Sequence, residues 1–163
     1  MSKYADEVLV LLLNIYDKIE RTQEEALLKG YFSDITKAEM NALDHIGYHC
    51  RTMGETANLL GITTGTLTVA VNRLVRKGYV ERCRSEEDRR IVLLSLTRKG
   101  KLAYRMYRRF HRLLVEEVLN KLNDVEEDTF IRMLEVINHY LNDQYMMLKE
   151  KERKSNHGQK RDF

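Results

Sequence analysis

The chain has 163 residues, enough for one domain with a real core, and its 43% hydrophobic and 33% charged residues make an ordinary soluble balance with extra charge. There is no proline, which suits long unbroken helices, and two cysteines are too few for a disulfide scaffold. The net charge of +3 hides an asymmetry: fourteen Lys/Arg against four Asp/Glu lie between Arg73 and Arg112, while the remainder is acidic on balance. A compact basic segment in an otherwise acidic chain points to a polyanionic partner.

Residues 1–30 read as a helix that is apolar nearly all round from Val8 to Ile19. The run is too short and too flanked by charge to enter a bilayer. It also lacks the basic start and small-residue cleavage site of a signal peptide, so the expected compartment is the cytoplasm. A helix apolar on every side packs between several others, and the expected place is a dimer interface. Thr36 and Glu39 then form a capping box, Met40, Leu43 and Ile46 supply an apolar face, and Gly47 a stop.

From Thr52 to Leu96 the order is helix, turn, helix, hairpin, the layout of a winged helix-turn-helix. Ala57 is small where two helices cross, Gly61 supplies the positive φ of a tight turn, and Thr63 caps the next helix. Leu67, Ala70, Val71 and Leu74 make one apolar stripe. The opposite face carries Thr64, Thr66, Thr68, Val69, Asn72 and Arg73, side chains able to reach base edges or phosphates in a major groove. Alone, this would be better read as an ordinary threonine-rich surface; the hairpin that follows reverses the odds. Gly78 ends the helix, Tyr79 to Arg84 and Ile91 to Leu96 read as strands, and Glu86, Glu87, Asp88, Arg89 and Arg90 form the tip. Such a wing, with Arg84 on its first strand, can lay an arginine into a narrow minor groove. Asp88 is expected to hold the Arg90 guanidinium as a carboxylate fork does.

Thr97 caps a helix running from Arg98 to about Leu122, with Leu102, Met106, Phe110, Leu113, Leu114 and Val118 on its apolar side. Arg105, Arg108, Arg109 and Arg112 line the other side, either as a solvated face or as one touching DNA phosphates. Asp124 is expected to cap a last helix whose stripe includes Phe130, Met133, Leu134, Ile137, Tyr140 and Leu141. The expected organisation is a single domain over 1–148, mainly α with a small β-hairpin wing. Its dimerisation helices are 1–30 and 98–148, and its winged helix-turn-helix is 36–96. Residues 149–163 form a polar tail, fraying or disordered.

The run Leu74-Val75-Arg76-Lys77-Gly78-Tyr79-Val80-Glu81-Arg82, then Asp88-Arg89-Arg90, then Leu96-Thr97-Arg98-Lys99-Gly100 resembles the MarR family of bacterial transcription regulators, whose pattern there is close to LxxKGxVER, DxR and LTxxG. The resemblance implies an intertwined homodimer on a pseudo-palindromic duplex operator. A recognition helix from Thr63 to Lys77 would occupy the major groove, and the wing arginine, Arg90, a flanking minor groove. Phe32-Ser33-Asp34-Ile35-Thr36, Asp44-His45-Ile46-Gly47, Gly65-Thr66-Leu67-Thr68 and Arg109-Phe110-His111-Arg112 are similar to the FabT-type fatty-acid-synthesis repressors within that family. That similarity implies a long-chain acyl–acyl carrier protein as corepressor. Arg105, Arg108, Arg109 and Arg112 would then receive the acidic carrier while its acyl chain enters a channel between helices.

Other chemistries find less support. Cys83 lies beside Arg82 and Arg84, which would lower its pKa, but a passive strand thiol is the better reading. His45, His49 and Cys50 have helical spacing, yet surface or core histidines account for them better, and no metal or other cofactor is expected. No phosphate loop, HExxH or GxSxG occurs, so no catalytic residue is assigned and an enzyme is not expected. Two readings compete with the lipid-responsive repressor. One is a regulator of efflux or stress genes released by a small lipophilic or phenolic ligand. The other is an interaction module that never grips DNA, against which the basic segment argues.

Overall fold

Helices dominate, and a small sheet is the only β structure among the described residues of this computed structural model, which are residues 3–158. The chain divides after Leu113 into two compact units.

In the first unit, α1 (Ala5–Gln23) runs on into a π-helical stretch, Glu24–Tyr31. The helix expected over residues 1–30 is therefore present but under-wound at its end, and Met1 and Ser2 lie outside the described residues. Every large apolar side chain from Val8 to Ile19 is exposed, by 40% at Ile19 and 62% at Tyr16. Next comes α2 (Lys37–Ile46), opened by the full Thr36–Glu39 capping box and closed by Gly47 at φ 57°. It buries Met40, Leu43 and Ile46 completely.

The sequence reading missed a strand. Arg51 and Thr52 form β1, which pairs with β3 (Val92–Leu96), itself paired with β2 (Val80–Arg84), in the antiparallel order β1-β3-β2. Two residues carry no alternating pattern, so β1 exists only because β3 offers it an edge. The β2–β3 register runs from Val80 opposite Leu96 to Arg84 opposite Val92. Thr52 also caps α3 (Met53–Leu60) in a second capping box, with Glu55, and Gly61 turns the chain in the left-handed region at φ 69°. After it comes α4 (Thr64–Arg76), capped by Thr63. Leu67, Val71 and Leu74 are fully buried and Ala70 packs against them, so the expected stripe faces the core with α2, Ala57, Tyr79, Leu94 and Leu96.

Also packed on this core, through Ala103, is α5 (Arg98–Leu119). Its Gly100 packs so closely on the residue before β2 that a Cβ there would lie 2.0 Å from the Tyr79 carbonyl oxygen. The Thr97 hydroxyl accepts from Gly100 N–H at 3.1 Å and donates to Gly78 O at 2.6 Å, fastening the helix start to the end of the α4 turn.

The second unit holds the end of α5 and a long α6 (Asp124–Gly158). Its cap is Asn123, not the expected Asp124: Asn123 Oδ1 accepts from the N–H groups of Val125 and Glu126, and the Glu126 carboxylate accepts from Asn123 N–H. Asp124 instead lies inside the first turn, where its charge suits the helix dipole. The tail is polar, but a fraying or disordered state was expected from Lys149 and a helix is found. Residues from Lys149 to Gly158 continue α6, because a Lys/Glu/Arg-rich segment has helix propensity even without an apolar stripe. Residues 159–163 lie outside the described residues. Met133, Leu134, Ile137, Tyr140 and Leu141 are all exposed and Phe130 is half-buried.

Candidate nucleic-acid interface

Because the α4 stripe is locked inward, the other face must look out. Thr64, Thr66, Val69, Asn72 and Arg73 are exposed and Thr68 is half-buried. The hydroxyls are less free than their number suggests. Thr68 Oγ1 donates to Thr64 O at 2.6 Å, and Thr66 Oγ1 shares a hydrogen bond with the capping Thr63 Oγ1 at 2.9 Å. What Thr68 offers outward is a methyl group and an oxygen acceptor, suited to a thymine methyl or a cytosine amino group.

Two ion pairs that the sequence reading did not assign brace α4. Lys77 Nζ, at the helix C-cap, donates to Glu39 Oε2 at 2.6 Å, and the Glu39 side chain is 1% exposed. Burial works against this charge, but the bonds from Lys77 and from Thr36 N–H hold its carboxyl below the usual range. Beside it, Asp34 accepts from Tyr79 Oη at 2.7 Å and from Lys99 Nζ at 3.2 Å. Lys99 also lies 3.9 Å from the Tyr79 ring centroid and donates to Lys77 O. Desolvation opposes the Asp34 charge, yet Tyr79 and Lys99 keep its carboxyl low, while burial and the Asp34 bond push the Tyr79 phenol well up. These contacts tie together the loop before α2, the turn after α4 and the first turn of α5. Lys77 and Lys99 stood in the quoted motifs; nothing in their spacing said which carboxylates they meet.

The wing is a hairpin closed by Ser85 N–H donating to Ile91 O and by Ile91 N–H donating to Asp88 O. Arg84, Asp88, Arg89 and Arg90 are all exposed. The Asp88–Arg90 pair expected at the tip is present as a long ion pair, not as a fork. Asp88 Oδ1 accepts from the Arg90 backbone N–H at 2.9 Å, and the guanidinium Nε lies 3.8 Å away. An aspartate two residues back reaches the turn backbone more easily than the end of a long side chain. The Arg90 side chain is 95% exposed and projects from a stiffened turn, with only the long contact to Asp88 beside it among the described residues.

On α5 the four arginines separate. Arg105, Arg109 and Arg112 are exposed and make no ion pair among the described residues. Arg108, at the edge of that face, turns to Asp44 at 3.8 Å and lies 5.9 Å from the Tyr104 ring centroid. Near it, Tyr48, Tyr104, Arg51 and Arg108 line a cleft of about 320 Å³. The Cys83 thiol is pushed up by burial and by neighbouring Cys50 and Glu81, which supports the passive reading over activation by Arg82 and Arg84. His45 bonds Asn41 O through Nδ1, and among the described residues no three His, Cys, Asp or Glu groups cluster as metal ligands. None of the described helices is long and apolar enough to cross a membrane.

A helix-turn-helix whose second helix presents a polar face, followed by a hairpin with an arginine at its tip, defines a winged helix-turn-helix protein. A model of the MarR family matches residues 33–91. The solved structure of Streptococcus pneumoniae FabT in complex with DNA is 35% identical, covers 85% of this chain and 97% of that one, and superposes with a TM-score of 0.79. The chain belongs to the MarR family. The HTH-type transcriptional repressor YetL of Bacillus subtilis is 31% identical over 80 residues, 49% of this chain and 48% of the relative. The multiple antibiotic resistance protein MarR of Escherichia coli is 40% identical over 81 residues, 48% of this chain and 56% of the relative. The chain thus spans about half the length of the curated relatives it matches. YetL is named as a transcriptional repressor, and the family is one of regulators, not enzymes.

Proposed function

We propose that the protein is a dimeric transcriptional repressor that binds a pseudo-palindromic duplex operator, with fatty-acid-synthesis genes as targets and long-chain acyl–acyl carrier protein as corepressor. The observation that carries this reading is the likeness to a FabT whose solved structure contains DNA, over 97% of that chain. The outward face of α4, with Thr64, Thr66, Thr68, Val69, Asn72 and Arg73, enters the major groove. Arg90 enters the flanking minor groove, and Arg84, Asp88 and Arg89 order the wing beside the phosphates. The exposed apolar faces of α1 and α6 support a homodimer, since such helices are marginal alone in water. Arg105, Arg109 and Arg112, exposed together, receive the acidic carrier, while Arg108 stays with Asp44.

A second reading has its own support. The cleft of about 320 Å³ is of small-ligand size, and its Tyr48 and Tyr104 rings meet edge to face at 4.8 Å with Arg108 above Tyr104. A small lipophilic or phenolic ligand suits such a cleft, and the regulated genes would then be efflux or stress genes. A gel-shift titration separates the two. Long-chain acyl–acyl carrier protein is expected to tighten operator binding; release by a phenolic acid, with no response to the carrier, transfers the protein to the second reading. In the same assay Arg90→Ala is expected to weaken binding and lower the salt slope by about two, one for each protomer of the dimer, without unfolding the protein. Unchanged affinity removes Arg90 from the groove.

A further inference from the structure

Asn72 lies on the exposed face of α4, and Arg82 projects from β2 beneath it. Arg82 Nη2 donates to Asn72 Oδ1 at 2.6 Å. A guanidinium carries donors and no acceptor, so this bond determines which end of the amide turns towards the strand. Oδ1 points at Arg82 and the Nδ2 amino group is the end left outward. The bond is charge-assisted, and among the described residues Arg82 has no carboxylate partner competing for it.

An untethered asparagine offers a base edge one donor and one acceptor, the pair that matches adenine N6 and N7. Turning Oδ1 away leaves donors only. Guanine presents two acceptors in the major groove, N7 and O6, whereas adenine and cytosine each present an amino donor that an outward Nδ2 cannot accept. We propose that Arg82 is a positioning residue that converts Asn72 from an adenine reader into a donor-only reader of guanine. The inference rests on the reading in which α4 enters the major groove. It adds a determinant outside α4 itself, on a strand that need not touch a base.

Sequencing the duplexes retained from a randomised library by the full-length wild type, Arg82→Ala, Arg82→Lys and Asn72→Asp tests it, with thermal melts in parallel. Wild type is expected to enrich guanine over adenine at one position of each half-site, on the order of tenfold. Arg82→Ala is expected to shift that position towards adenine. Arg82→Lys retains guanine, because an ammonium donates to the same oxygen, and a merely structural loss of Arg82 would not be rescued in that selective way. Asn72→Asp, which has no donor, loses guanine. Should Arg82→Ala fail to fold, Arg82→Met keeps the stem and carries the same readout. An Arg82→Ala protein with the wild-type base preference overturns the inference even though DNA binding stands. A wild type that selects no duplex overturns the DNA-binding reading and this inference with it.

Discussion

Glu39→Ala removes a carboxylate that two donors share inside the fold. The Lys77 bond at 2.6 Å is charge-assisted and contributes about 1.5–3 kcal/mol, and loss of half a capping box costs about 1 kcal/mol more. Two effects reduce the total. Glu39 Oε1 is buried without a partner, so deletion relieves a desolvation cost, and the Lys77 side chain is 29% exposed and recovers water. The expected net loss is about 2–3 kcal/mol, read by urea denaturation at fixed protein concentration, since an oligomer's stability depends on it. A cycle with Lys77→Met should return a coupling of at least about 1 kcal/mol. The pH dependence has a defined sign. A carboxyl held below its unfolded value stabilises fully above that value, near 4.3, and loses its share as pH falls through the folded one. The gap between wild type and variant should therefore stay constant from about pH 7 to 5 and close below about pH 4. A loss under about 0.5 kcal/mol, an additive cycle, or a gap that widens in acid would refute the reasoning.

Two more substitutions probe the scaffold. Gly100→Ala places a Cβ 2.0 Å from the Tyr79 carbonyl oxygen, so α5 or the backbone leading into β2 must shift; the expected cost is about 3 kcal/mol in a thermal melt, and a melting point within about 2 °C of wild type would mean that the two segments separate cheaply. Leu13→Glu alters a side chain 61% exposed in the single chain that the dimer reading buries. Losing about 2 kcal/mol of burial from each copy weakens association by roughly a thousandfold, visible as a halved mass in sedimentation, and an unaltered mass at micromolar concentration would remove α1 from the interface.

The sequence alone determined the order of the helices and of the two hairpin strands, and most of the local geometry. Gly61, Thr63, Thr36 with Glu39, and the Leu67–Leu74 stripe act within one turn or one helix, and local sterics or periodicity set what they do. So the outward face of α4 and the exposed wing tip were legible before any coordinates. What the tertiary structure decided are contacts between residues far apart in the chain. Glu39 meets Lys77, Asp34 meets Tyr79 and Lys99, and β1 exists only beside β3. Arg82 and Asn72, ten positions apart, also meet only because β2 folds back beneath α4. Spacing along a helix or strand carries no record of such meetings, since they depend on how the elements pack. The fork expected at Asp88 is loosened to a long ion pair for a related reason: the backbone of its own turn lies nearer than the side chain it was to hold.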